Sequence, residues 1–284
     1  MKGLRRFPSH GWLGLGLIAV FWPLNWLLEG PRTHWGFFPL WLGFCLTVDG
    51  LTVWRKGDSL LRRNSRRYIG LFLVSAPGWW LFELFNARLK NWYYDGRELF
   101  TDLEYGVLAS IAFSTVIPAV FGAAELMGTF DWVRRFRRGP SIRPSARTQR
   151  TFFLLGGSMM ALMLLWPRYF FPFLWLSLYF LVEALNMRLG NRTLLDDLQR
   201  GDWRAVAALW GGVLLAAFFW EMWNYFSYPK WIYTVPFVNF WHIFEMPLLG
   251  YGGYLPFSLE LFALYHLVMG LLGDRRSTYL KLVA

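Results

Sequence analysis

Phe82-Glu83-Leu84-Phe85-Asn86 and Trp220-Glu221-Met222-Trp223-Asn224 are the two stretches on which the fold of this chain turns. Each sets a carboxylate and an amide three residues apart inside an apolar run, so a helix carries both polar groups on one face. The match extends outward from there. Phe37-Phe38-Pro39-Leu40-Trp41 is similar to Phe170-Phe171-Pro172-Phe173-Leu174-Trp175 and, after one gap, brings Asp49 over Glu183. On the other side Trp92 and Tyr94 fall on Trp231 and Tyr233, Leu103-Glu104 on Phe244-Glu245, and Met127-Gly128 on Met269-Gly270. Partners stay about 134–142 residues apart throughout, and so small a drift points to duplication. The division that follows is a first repeat over 1–133, an Arg-rich linker over 134–150 and a second repeat over 151–284. A rival match, Glu83-x-x-Asn86-x-Arg88-Leu89-x-Asn91 on Glu183-x-x-Asn186-x-Arg188-Leu189-x-Asn191, stops at one helix end and is read as coincidence.

The surroundings of these stretches are those of a membrane protein. Of 284 residues 56% are hydrophobic, 20% aromatic and only 17% charged, which is not the balance of a water-facing surface. A spanning helix needs about 20 mostly apolar residues. Runs of that kind cover 11–28, 37–54, 69–87, 104–127, 151–167, 170–188, 205–226 and 245–272, the last interrupted by Pro247, Gly250, Gly252, Gly253 and Pro256. Four spans per repeat is an even number, so both repeats start on the same side of the membrane. The expected fold is therefore all-α and polytopic, with eight transmembrane helices in two parallel four-helix repeats and a broken last helix.

Orientation follows from the basic residues. With the N-terminus (Lys2, Arg5, Arg6) inside, the inner loops hold all of the 29 Lys and Arg except Arg32, Arg88, Lys90, Arg97, Arg168 and Lys230. Both termini are then cytoplasmic, and the excess of Arg over Lys suggests a bacterial inner membrane. No small-residue cleavage pattern follows the first apolar run, so it is read as a span and not a secretion signal. The net charge of +11 sits at helix ends. Arg134, Arg135, Arg137 and Arg138 are accordingly read as resting on anionic lipid headgroups, and no nucleic-acid partner is expected. A single cysteine, Cys45, excludes disulfides and Cys-ligated clusters within the chain, and four histidines are too few for a histidine-rich di-iron site.

Carboxylates inside spans carry the functional reading, since each costs about 2.5–3.5 kcal/mol on insertion scales and marks function by default. Glu83, Asn86 and Glu104 with their repeat partners Glu221, Asn224 and Glu245 are expected to converge at the outer side. Asp49 and Glu183 form a separate inner pair. His242, three residues before Glu245, would share a helix face with it and tilts the site toward the second repeat, where Trp220, Trp223, Trp231, Tyr233 and Trp241 would line it. The plainer reading of each Glu/Asn pair is that it fixes helix packing, while His266 and Cys45 read as core residues.

Protonated carboxyls in a dry aromatic pocket suit acid/base chemistry on a lipid-soluble, isoprenoid or carotenoid-like substrate. Such chemistry needs no cofactor; the partners would be membrane lipids and that small molecule. A cation held by Glu83, Glu104, Glu221, Glu245 and His242 is the metal alternative, weakened by the lack of a Glu-x-x-His pair. The competing functions are a proton- or cation-coupled transporter using the same carboxylates and a non-catalytic membrane assembly subunit.

Overall fold

The computed structural model describes residues 6–283; Lys2 and Arg5, used above for orientation, lie outside the described residues. The chain runs through α1 (Ser9–Leu27), α2 (Thr33–Lys56), the one-turn α3 (Leu60–Arg63), α4 (Ser65–Leu89), strand β1 (Trp92–Asp95), α5 (Asp102–Phe113) and α6 (Val116–Met127). It continues through α7 (Ala146–Leu165), α8 (Pro167–Phe170), α9 (Phe173–Leu189), α10 (Leu195–Leu198), α11 (Arg204–Tyr225), β2 (Lys230–Tyr233), β3 (His242–Ile243), β4 (Met246–Pro247) and α12 (Tyr254–Leu271). Every apolar run read from the sequence contains a helix. Five segments, Thr33–Lys56, Ser65–Leu89, Asp102–Met127, Arg204–Tyr225 and Leu248–Leu271, are long and apolar enough to cross a membrane, so the chain has the make-up of a helical membrane protein. The two-stranded pairs β1–β2 and β3–β4 are an addition to the all-α expectation.

The helices pack in the same order in each half. α1 lies on α2 and α7 on α9; α2 meets α6 and α9 meets α12; α4 meets α6 and α11 meets α12. The halves join through α6 against α11. At that crossing a Cβ on Gly212 would stand 2.3 Å from the Ala124 nitrogen, so only glycine lets the two backbones touch. With no hydrophobic gain from leaving lipid, close contact of this kind is what holds membrane helices together.

The span expected over 104–127 is broken. Pro118 has no N–H to offer the preceding turn, and α5 stops at Phe113 before α6 begins at Val116. Ser75 of α4 repairs the break: its hydroxyl donates to the Phe113 carbonyl (2.6 Å) and accepts from the Ile117 amide (3.0 Å). The last span is also irregular where its Pro and Gly residues fall. Leu248–Gly253 is a 3-10 stretch, and the α-helix starts only at Tyr254.

The rival match between 83–91 and 183–191 has a local cause. Both segments close a helix with a left-handed residue, Lys90 (φ 54°) or Gly190 (φ 71°). Both then return the next asparagine to the first: the Asn91 amide bonds Asn86 Oδ1, and the Asn191 amide bonds the Asn186 carbonyl.

The carboxylates Asp49 and Glu183 also have a structural use. Asp49 accepts from the Ser59 hydroxyl (2.7 Å) and the Leu61 amide (3.0 Å), and Glu183 accepts from the Leu194 amide (2.7 Å). Each thus holds the start of the short helix that follows it, α3 or α10, where free N–H groups favour a negative partner. Glu125 is tied down too, by Lys56 (3.0 Å), Arg63 (2.9 Å) and the Lys281 amide (2.8 Å) of the C-terminal tail.

Candidate active site

The site begins at the ends of α4 and α11. Asn86 donates Nδ2 to the Trp92 carbonyl (2.8 Å) and Asn224 donates Nδ2 to the Trp231 carbonyl (2.7 Å). The same side chains accept from the Asn91 amide (2.9 Å) and the Trp231 amide (3.0 Å). An amide offers one donor edge and one acceptor edge, so it satisfies the first backbone groups beyond the helix and directs the chain into a strand. The two strands thus launched pair antiparallel, with Trp92 opposite Tyr233 and Tyr94 opposite Trp231. Alternation along a strand sends Trp92, Tyr94, Trp231 and Tyr233 to one face of the ribbon and leaves Tyr93 on the other, 49% exposed.

Behind these aromatic residues stand the two glutamates. Glu83 Oε1 accepts from Trp79 Nε1 (2.9 Å), Trp92 Nε1 (3.1 Å) and the Tyr94 hydroxyl (2.6 Å). Glu221, fully buried, accepts on Oε1 from the Tyr233 hydroxyl (2.8 Å) and the Tyr254 hydroxyl (2.5 Å), while its Oε2 has no partner. Burial and then the Glu83 carboxylate push the Tyr94 phenol well above its ordinary range, and burial and Glu221 do the same to Tyr233. Both tyrosines therefore remain O–H donors, wedged between a carboxyl group and the open space in front of it.

That open space is a cavity of about 190 Å³ roofed by the ribbon and walled by α5, with contributions from α2, α4, α9, α11 and α12. Its lining is aromatic: Trp79, Tyr105, Trp175 and Trp220 face it together with the four ribbon side chains. An apolar cavity of roughly 150 Å³ holds a benzene ring, so this one takes a ring or a short branched hydrocarbon segment. Arg97 and Lys230 are the cations on the wall, and each is paired with a carboxylate outside the lining, Asp102 and Glu245; no acidic residue lines the cavity itself. His34 also lines the cavity, and its Nδ1 is buried without a partner.

Several residues expected at the site lie elsewhere. Glu104 is exposed and forms a capping box with Thr101, accepting from its amide (2.9 Å) and returning the cap of α5, so its carboxylate is committed to the helix end. His242 and Glu245 do not share a helix face, because the Pro- and Gly-rich segment around them is extended; Phe237, Trp241 and Phe244 there take left-handed backbone (φ 64°, 50° and 59°). The His242 ring is exposed and meets Asn239 Oδ1 (3.0 Å), and Glu245 serves Lys230. Trp241 is 76% exposed, and Trp223 is buried against Trp41, 5.1 Å ring to ring, and does not line the cavity. Trp220, Trp231 and Tyr233 do line the cavity. Among the described residues no three His, Cys, Asp or Glu side chains stand close enough to hold a metal ion; Glu104 and His242 are exposed whereas Glu221 is fully buried.

Trp79, Trp92, Tyr94 and Tyr254 were missed as site residues. The signal for two of them was available: a repeat that puts Trp231 and Tyr233 at the site puts Trp92 and Tyr94 there as well. Comparison with known protein families, characterised proteins and solved structures finds no match.

Proposed function

We propose that this chain is a membrane-embedded enzyme that draws a neutral, lipid-soluble molecule of isoprenoid or carotenoid type into the aromatic cavity and moves protons on it with Glu221. The observation that carries the reading is the pair of cavity-lining tyrosines, Tyr233 and Tyr254, whose hydroxyls rest on a fully buried carboxyl group. With Glu221 protonated, a tyrosine hydroxyl passes its proton to an alkene carbon of the substrate as the Glu221 proton passes to the tyrosine oxygen, leaving a cationic carbon and a Glu221 carboxylate. The reverse relay takes a proton from a different carbon and restores the Glu221 acid, so the net reaction is an isomerisation or a proton-initiated ring closure that consumes nothing else. The electron-rich faces of Trp79, Trp175 and Trp220 stabilise the cationic carbon formed on the way. Glu83 and Tyr94 repeat the arrangement in the first half, with Trp79 and Trp92 as additional donors.

The architecture that goes with this function is eight spans in two parallel four-helix repeats joined by the Arg-rich linker 134–150. Support comes from the matched Asn86 and Asn224 hydrogen bonds, the matched roles of Asp49 and Glu183, and the helix packing order common to both halves. The ribbon end then faces outward and both termini face the cytoplasm of a cell with this protein in its inner membrane.

Incubating the reconstituted protein with isoprenoid lipids in heavy water tests the chemistry, because reversible protonation deposits deuterium on carbon. Glu221→Gln keeps shape and loses the transferable proton, and should cut that exchange by about a hundredfold or more. Glu104→Gln, outside the cavity, should exchange at the wild-type rate. Undiminished exchange in Glu221→Gln would end the acid/base reading.

A further inference from the structure

Beyond α12 the chain forms no helix or strand, yet it is fastened along its length at the end of the bundle from which α11 sets out toward the ribbon. The Arg192 amide bonds the Arg275 carbonyl (2.7 Å), the Tyr279 hydroxyl bonds the Leu60 carbonyl (2.9 Å) and the Lys281 amide bonds Glu125 (2.8 Å). Between this tail and α10 lies a groove of about 470 Å³, within the size range of small-ligand sites. Arg192, Arg200, Arg276 and Lys281 line it against a single acidic residue, Asp196.

The carboxylates around the groove do not balance these cations. Arg192, Arg200 and Arg276 share Asp196 and Asp197, while Lys281, Arg63 and Lys56 share Asp58 and Glu125, so each set is one negative charge short. The basic heads are open as well. The Arg200 and Arg276 side chains are 64% and 63% exposed, and among the described residues Arg200 donates only through Nη2 and Arg276 only through Nη1. A guanidinium carries five N–H donors in a planar fork, so most of each fork is free, and Ser277 and Thr278 add hydroxyls to the wall. Surplus positive charge, open forks and hydroxyls make the donor set that recognises phosphate. We infer that this groove binds a phosphate group, presented by an anionic lipid headgroup or free in solution. Its level suits a headgroup: the exposed Leu271 and Leu272 that finish α12 stand just ahead of Arg275 and Arg276, and the change from apolar helix surface to basic groups marks headgroup depth. The groove shares no lining residue with the aromatic cavity, so its occupancy is independent of the chemistry proposed there.

Amide exchange of the full chain in dodecyl maltoside micelles, which carry no phosphate, tests the site. Three additions are compared: phosphatidylglycerol, inorganic phosphate, and diacylglycerol, a lipid without phosphate. At about ten times its dissociation constant a ligand slows exchange of the segment it holds by about tenfold. Phosphatidylglycerol titrated to saturation should therefore slow exchange over 192–200 and 275–281 by about tenfold or more and leave the ribbon strands unchanged. Slowing by phosphatidylglycerol alone assigns the groove to a lipid headgroup, and slowing by inorganic phosphate assigns it to phosphate reached from solution. The response should vanish in the double variant Arg200→Gln with Arg276→Gln. It should persist in Arg135→Gln with Arg137→Gln, which removes two exposed charges from the Arg-rich segment outside the groove. Three results would overturn the site: no slowing by either phosphate compound, equal slowing by diacylglycerol, or an undiminished response in the Arg200 and Arg276 double variant.

Discussion

Asn224→Ala should loosen the ribbon without touching the cavity wall itself. The side chain makes two hydrogen bonds to Trp231, Nδ2 to the carbonyl (2.7 Å) and Oδ1 from the amide (3.0 Å), and it is 1% exposed. Truncation leaves a part-buried backbone donor and acceptor unpaired, at about 1–3 kcal/mol each, so the loss is about 2–6 kcal/mol at most. Asn224→Asp keeps the acceptor and loses the donor, and should cost about half as much. Asn86 makes the same two bonds with Trp92 at the start of β1 (2.8 and 3.3 Å) and accepts a third from the Asn91 amide (2.9 Å), so Asn86→Ala should cost at least as much as Asn224→Ala. The assay is reversible unfolding in mixed micelles, followed by near-ultraviolet circular dichroism, where Trp231 and Trp92 report on the ribbon. A cost below about 0.5 kcal/mol for Asn224→Ala would show that the amide does not hold the strand. A smaller cost at Asn86 than at Asn224 would count against treating them as repeat partners.

The Ser75 hydroxyl is the only described partner of the Ile117 amide at the break between α5 and α6, and Ser75→Ala should destabilise the fold by about 2–4 kcal/mol in the same assay. A change under about 0.5 kcal/mol would mean that the break satisfies itself. At the opposite end of the bundle, burial acts to raise the Asp58 carboxyl, but Arg63 and Lys281 outweigh it and hold the group below the ordinary aspartate range. A depressed carboxyl contributes stability above its unfolded value and loses it as pH falls through the folded one. Attachment of the C-terminal tail should therefore weaken below about pH 4, seen as faster amide exchange near Lys281, and Asp58→Asn should remove that dependence. Unaltered pH dependence in Asp58→Asn would assign the effect to another group.

Much of the helical plan was legible because it depends on local pattern. Runs of apolar residues and the Glu/Asn spacing on α4 and α11 survive unchanged, and Asn86 and Asn224 act within seven residues of themselves. What failed was direction over longer reach. Glu104 was placed in the site on the strength of its repeat position, yet Thr101-Asp102-Leu103-Glu104 carries the capping-box spacing that claims the carboxylate for its own helix. His242 and Glu245 were given a helix face that Pro236, Pro247 and the glycines beyond do not allow. Asp49 and Glu183 were read only as a separate inner pair, because the segments whose amides they hold lie across a turn that no periodicity announces. The cavity was out of reach for a further reason: its wall draws on both halves, and no pattern in one dimension reports which aromatic faces share a void.

The ribbon has a mechanical consequence. It is stitched from one strand of each half, four residue pairs long, directly over the cavity. Any rocking of one half against the other would tear that seam, and Gly212 pressed on Ala124 leaves no slack at the opposite seam between α6 and α11. The wall that neither seam fixes is α5, whose outer face bears the exposed Leu103, Val107 and Ile111, whose inner face walls the cavity, and whose far end is a break in the helix spanned by one serine hydroxyl. On the proposed function, sideways displacement of that single short helix is the entry route that leaves both seams closed, like a door on its jamb.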